Sequence, residues 1–278
     1  MIKESNVHDL PNAKIQQHDS ITDEEIAHFI QLLIHVIPVS HIFRCAGATS
    51  PCRLIIILDR YRYQESKQTE ALLTFITLNQ SNIHLLYFTY GTMNDYLLRG
   101  HYFFSRICIP ANCIYHNATE HVISTSMLQI QKLQQEAEQL LNSGLRRIND
   151  YLQTAEILIS QRKLNLASFM LHQCCEQIYR LIIIIFKGRE CKSHQLVLLY
   201  QTAAFYFPPI RNIFHSIEKK ELRYLDQLQG AYIGARYQDE YEVAVEFLSD
   251  VLGKLDACVS AKLRGLIQEF ESKHKISA

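Results

Sequence analysis

Residues that break regular structure are scarce in this 278-residue chain, which holds nine Gly and six Pro. With 48% apolar residues beside them, that shortage argues against disorder and against an all-β protein built on turns. Charge of a prevailing sign is missing too, since 28 basic residues balance 28 acidic ones. No global field then attracts nucleic acid or anionic lipid, and any polyanion contact must come from a local patch. The N-terminus, Met1-Ile2-Lys3-Glu4-Ser5, lacks the apolar run of a signal peptide. No Cys-x-x-Cys pair occurs among the eight cysteines, at 45, 52, 108, 113, 174, 175, 191 and 258, so zinc and thioredoxin-like chemistry both lack their spacing. All eight are expected to be reduced, mostly buried thiols of a cytoplasmic protein.

One stretch has the length of a membrane span, from Leu164 to Phe186 with the run Leu181-Ile182-Ile183-Ile184-Ile185-Phe186. His172, Gln173, Glu176, Gln177 and Arg180 interrupt it. A charge at the bilayer centre costs about 2.5–3.5 kcal/mol on insertion scales. The stretch is therefore expected to be the buried helix of a bundle, and no membrane partner is expected.

The chain changes texture along its length. Thr22-Asp23-Glu24-Glu25 opens a helix, with Thr22 as N-cap and Glu25 closing a capping box. Ser40 to Arg44 reads as a short strand. Leu54-Ile55-Ile56-Ile57-Leu58 reads as a strand covered on both faces. Residues 67 to 80 suit a helix, Ile83 to Phe88 another buried strand, and Asn94 to Leu98 a helix. Phe103 to Ile109 fits either state. Strands alternating with helices predict an α/β layer. From about Thr119 every strong signal is helical: Met127 to Leu141, a break or kink at Ser143-Gly144, then segments near 145–160, 164–187, 194–204, 220–236 and 239–272. Gly188 supplies a left-handed stop after Lys187, and Pro208-Pro209 blocks helix. The expected organisation is a two-domain α+β protein: an α/β domain over 1–118 and an all-α bundle over 119–278.

Within the helical half, Ala167-Ser168-Phe169-Met170-Leu171-His172-Gln173-Cys174-Cys175-Glu176-Gln177 precedes Gly188 and His194, and Ala231-Tyr232-Ile233-Gly234-Ala235-Arg236-Tyr237 follows later. This ordered pair of motifs resembles the HEPN family, the higher-eukaryote and prokaryote nucleotide-binding domains, over roughly residues 143–270. The resemblance implies a groove between helices where a nucleotide or RNA binds, and a homodimer formed through the bundle. The residues themselves point to a polar site. His172, Glu176 and Arg180 recur at i, i+4 and i+8, one stripe on an otherwise apolar helix. Such a stripe has to face water, a hydrogen-bonding neighbour or a ligand. Two readings stand side by side: a structural network, with His172 on a backbone carbonyl and Glu176 paired with Arg180 or Arg236, or a nucleotide-binding set of His172, Glu176, Arg180, Arg236 and Tyr237. Arg can grip phosphate in bidentate fashion and Tyr can stack on a base.

Many HEPN relatives cleave RNA without metal, using an Arg and a later His with four to six residues between them. Here Arg189 and His194 meet that spacing, which chance also supplies in a chain of this composition. In those relatives the motif falls near the position of Arg236, which no His follows. A metal-independent, toxin-like ribonuclease using Arg189 and His194 is therefore the alternative to a non-catalytic binding module.

In the first half, Gly47-Ala48-Thr49-Ser50 ahead of the Leu54–Leu58 strand resembles the glycine turn of small nucleotidyltransferases. So does the later stretch from Tyr90 to His116. Active relatives follow the turn with Asp-x-Asp and place a third Asp on a later strand, holding two Mg²⁺ ions. This chain has Pro51-Cys52-Arg53-Leu54 there, a single Asp59 followed by Arg60-Tyr61, and no acid in Ile83 to Phe88. The resemblance therefore implies an inactive nucleotidyltransferase-like domain with no metal or other cofactor. His41, His84, His101 and His116 lie on separate elements without metal-ligand spacing, and are expected on the surface or as satisfied interior groups.

Overall fold

The structure, a computed structural model, describes residues 22–45, 52–59, 66–77, 83–117, 125–188, 190–215, 217–237, 243–263 and 265–266. The chain divides into two compact units, one of residues 1–99 and 104–126, the other of 100–103 and 127–278. The anticipated boundary near 118, the turn Gly47–Ser50 and the pair Arg60-Tyr61 lie outside the described residues.

The first unit opens with α1 (Asp23–Val36), whose Thr22 side chain accepts from the Glu25 N–H while the Glu25 carboxylate accepts from the Thr22 N–H, the expected capping box. Strands β1 (Val39–Arg44), β2 (Cys52–Leu58), β3 (Ile83–Thr89) and β4 (Cys113–His116) form one mixed sheet in the order β3-β2-β1-β4. β1 runs antiparallel to both β2 and β4, and β2 pairs in parallel with β3 after the crossover helix α2 (Ser66–Thr77). Residues Leu54 to Leu58 are all fully buried, as a strand sandwiched between layers must be. The alternation of strand side chains explains how: Leu54, Ile56 and Leu58 join Ile26, Phe29, Ile30 and Leu33 of α1 and Leu73 of α2 in one core. Ile55 and Ile57 point to the opposite face, which α3 (Tyr90–Leu98) covers. Phe88, Tyr96 and Phe104 make a ring cluster in this unit, with the last two stacked at 5.2 Å. Each such apolar side chain taken from water contributes about 1.5–3 kcal/mol. The ambiguous segment after residue 100 is a short helix, α4 (Tyr102–Ile107).

His41 departs from the expectation for its group. It is fully buried on β1, its Nδ1 2.7 Å from Ser40 Oγ and its Nε2 without a partner. It sits opposite His116 of β4. Burial, with a smaller push from His116, lowers its pKa to about 4.

The second unit is helical: α5 (Met127–Ser160), α6 (Leu164–Lys187), α7 (Leu196–Tyr206), α8 (Glu218–Tyr237) and α9 (Val245–Cys258). Instead of breaking at Ser143-Gly144, α5 runs on as one 34-residue helix. Its buried residues 130, 134, 137, 141, 145, 148, 152 and 155 recur every three or four positions, a single stripe. Gly144 serves packing: a Cβ there would lie 2.5 Å from Leu181 Cδ1 on α6. α6 is central and touches α5, α7, α8 and α9. It is long and apolar enough to cross a bilayer, yet 67% of its most apolar window is buried inside the protein. It ends at Gly188, φ +72°, as the left-handed stop required. Pro208–Ile210 form a 3-10 turn after α7. The single helix expected over 239–272 is instead α9 continued by a π turn, Val259–Leu263.

All eight cysteines are free thiols, and half rather than most are buried: Cys108, Cys174, Cys175 and Cys258. Burial pushes Cys45 up to about 11 and Cys258 to about 12, which keeps these sulfurs protonated and poorly nucleophilic.

Candidate functional site

The polar stripe on α6 meets α8 and the segment before α7. α6 and α8 run antiparallel here: Phe169 and His172 face Tyr232, while Leu196, just past the segment, donates its N–H to Gln229 Oε1 at 2.9 Å. His172 is fully buried, and its ring lies flat on Tyr232 with centroids 4.2 Å apart and planes 20° apart. Phe169 stacks on the same tyrosine at 5.7 Å. Both Phe169 and Tyr232 remain half-buried. The expected bond from His172 to a backbone carbonyl is replaced by this stack, which turns Nδ1 along the helix. It stands 3.4 Å from Gln173 Nε2 and 3.9 Å from Glu176 Oε2. Nε2 has no hydrogen-bond partner, although the Gln229 side chain favours the charged form of the ring. Burial outweighs that and lowers the His172 pKa to about 4, so the ring is neutral near pH 7.

Glu176, 3% exposed at its side chain, is the hub. Its Oε1 lies 2.8 Å from Arg180 Nε and 3.1 Å from His194 Nδ1. The Arg180 contact is an ion pair without the alignment of a hydrogen bond. Arg180 Nη2 donates to the Ser193 carbonyl at 2.8 Å and lies 3.3 Å from His194 Nδ1. An imidazole nitrogen cannot accept from Arg180 and donate to Glu176 at once. The shorter distance to a carboxylate, together with the carbonyl already serving Nη2, puts the proton on Nδ1. His194 then points Nε2 outward from a side chain that is 65% exposed.

Of the expected nucleotide-binding residues, the structure thus joins His172, Glu176 and Arg180 and adds His194 to them. Arg236 and Tyr237 lie at the C-terminal end of α8, one turn beyond Tyr232, and their side chains fall outside the described residues. Arg189 lies outside them as well. Glu176 takes Arg180, one of its two anticipated partners. Tyr232 and Gln229 were missed as site residues. The only sequence signal for them is their three-residue spacing on one face of α8. Among the described residues no group of three or more His, Cys, Asp and Glu could hold a metal ion. At the head of β2 stand Cys52 and Arg53, where the acidic pair of a nucleotidyltransferase would begin. A guanidinium repels Mg²⁺, so the described residues do not fit that metal.

The HEPN domain family model matches residues 131–266. This chain carries a HEPN domain. Its limits enclose α6, α7, α8 and α9, and with them every residue of the Glu176 cluster. A solved nucleotidyltransferase-like protein from Exiguobacterium sibiricum 255-15 overlaps 81% of this chain and 70% of its own, at 12% identity and a TM-score of 0.28. No curated protein matches the sequence.

Proposed function

We propose that the HEPN domain is a non-catalytic module that binds a nucleotide or RNA, beside an inactive nucleotidyltransferase-like domain serving as scaffold or docking surface. The observation that supports this is the buried Glu176 holding two more exposed nitrogen-bearing side chains, Arg180 and His194, at the edge of an aromatic pair. Arg180 keeps Nη1 uncommitted, a donor for a phosphate oxygen, while His194 keeps Nε2 uncommitted, an acceptor for a ligand hydroxyl or N–H. His172 and Glu176 are too buried to touch a ligand and act as positioning residues. Arg236 and Tyr237, which the family resemblance assigns to the site, complete the proposed set. The absence of acids at Cys52-Arg53 supports an inactive first domain. Eight free thiols suit the reducing cytoplasm, and pairing of two copies through the bundle follows from the family resemblance.

Calorimetric titration with nucleotides and short RNA should give saturable binding that weakens on Arg180→Ala and on Arg236→Ala. Flat titrations across all of them would overturn the reading. Magnesium-dependent transfer of a nucleoside monophosphate would overturn the inactive first domain.

One contact favours a second reading, a metal-independent ribonuclease. The Glu176 carboxylate orients His194 with Nε2 free beside Arg180, an acid–base group next to a cation able to stabilise a phosphorane. Arg180 would then do what the spacing assigned to Arg189. RNA cleaved in EDTA by the protein but not by His194→Ala would establish it, and intact RNA would dispose of it.

A further inference from the structure

We infer that the surface where α8 meets α9 carries a site for a small quaternary alkylammonium ion, a site that Lys254 fills with its own ammonium. It is separate from the Glu176 cluster and does not depend on the nucleotide reading. Its floor is Tyr224, about 12 Å before Tyr232 along α8. Rings from two other segments surround this tyrosine. Phe214 stacks on it at 5.6 Å with planes 16° apart, and is itself buried. His215 and Phe247, both half-buried, stand at 64° and 43° to its plane, with centroids 5.3 and 5.7 Å away. Glu221 holds the loop that brings Phe214 and His215 there, its buried carboxylate accepting both their N–H groups at 2.7 Å. Asp250 on α9 supplies the anion. Its Oδ2 accepts from the Tyr224 hydroxyl at 2.9 Å and from Lys254 Nζ at 2.7 Å. The same Nζ lies over the Tyr224 ring, 4.7 Å from the centroid.

The resident ammonium shows what the place selects. A cation over a tyrosine face is drawn by the negative quadrupole of the ring, and the adjoining carboxylate balances its charge. Lys254 holds the place weakly. Its side chain is 30% exposed and that of Asp250 43%, so their i,i+4 pair is solvated and of small net worth. A primary ammonium is also strongly hydrated, and gives up little of that water at an open ring. A quaternary ammonium has no N–H to leave unpaired and spreads its charge over methyl groups, so it gains more from the same rings. The choline class meets these needs with a fixed positive charge, an apolar methyl shell and a short stem. A metal ion does not fit, because among the described residues no group of three or more His, Cys, Asp and Glu could hold one.

The test is a proton NMR titration of the full chain with choline, following the broadening of the choline methyl signal, beside dimethylbutanol, its uncharged isostere. Choline should bind saturably and about tenfold more tightly than the alcohol, because the two share a shape and differ in charge. Lys254→Met removes the resident cation and should tighten choline binding about fivefold. Asp250→Asn should weaken it by a similar factor, and Tyr224→Leu should abolish it. Tyr224→Phe keeps the ring face and should bind choline as the parent does, which separates a lost ring from a lost fold. Equal affinity for choline and the alcohol, or choline binding that Lys254→Met leaves unchanged or weakens, overturns the inference. So does the absence of choline binding by both the parent and Lys254→Met. The nucleotide reading stands in each case, since it rests on other residues.

Discussion

His194 Nδ1 stands 3.1 Å from Glu176 Oε1, tying the segment ahead of α7 to the middle of the central helix. That contact spans eighteen residues of chain and joins two groups the sequence pattern treats separately.

Removing the hub should be costly. Glu176→Ala leaves Arg180 and His194 without their anion, and breaking a buried pair costs about 3–5 kcal/mol. Arg180 is partly solvated, so we expect about 2 kcal/mol in urea unfolding. Glu176→Gln should lose less, because an amide oxygen still accepts from His194. Equal losses in the two variants would show that packing, not the carboxylate, matters.

Gly144 and Leu181 should be energetically coupled. Ala in place of Gly inside a helix ordinarily stabilises by about 1 kcal/mol. Here the new Cβ would meet both Leu181 methyl carbons, at 2.5 and 2.6 Å. Gly144→Ala should destabilise by about 1 kcal/mol through overpacking, and should become stabilising in a Leu181→Ala background. Additive effects in that double-mutant cycle would refute the contact.

Acid should weaken the protein through two histidines. Burial lowers both His41 and His172 from 6.5 to about 4. The unfolded chain therefore binds these protons first. Stability is full above pH 6.5 and falls as the pH drops from there toward 4. At pH 5 the loss is about 2 kcal/mol per histidine. His172→Phe keeps a ring against Tyr232 and His41→Phe keeps one beside Phe43, so each variant should flatten the pH dependence of the thermal midpoint. Curves parallel to the parent's would contradict the assignment.

Glu221 should prove structural. Its buried carboxylate accepts backbone N–H bonds from Ile213, Phe214 and His215 at 3.0, 2.7 and 2.7 Å. These hold the turn leading into α8, where Asn212 adopts φ +57°. Glu221→Ala strands several buried donors, each costing about 1–3 kcal/mol, and should lower the urea midpoint more than any exposed Glu→Ala change on α8. A midpoint within error of the parent's would remove that role.

Much of the fold was legible because local signals agreed with the tertiary outcome. Thr22 and Glu25 cap α1 as their spacing demands, Leu54–Leu58 is buried on both faces, and Gly188 stops α6. Gly144 was misread because a glycine's local preference to break a helix looks the same as a glycine admitting a neighbouring leucine. In the candidate site the i, i+4, i+8 stripe revealed Glu176 and Arg180 as a pair. Gln229 and Tyr232 stayed hidden, since their partners lie on other helices and a three-residue spacing within α8 names no partner.

By itself the amino-acid order determined most of the helices and strands, the α/β-then-helical layout, the HEPN resemblance and the missing carboxylates, because periodicity, caps and residue chemistry are local properties of the chain. Only the tertiary structure decided that His172 is neutral beneath Tyr232, that Glu176 serves Arg180 and His194 together, and that His41 is buried opposite His116. Burial and partner choice arise where distant segments meet, and desolvation at those meetings sets which groups hold charge.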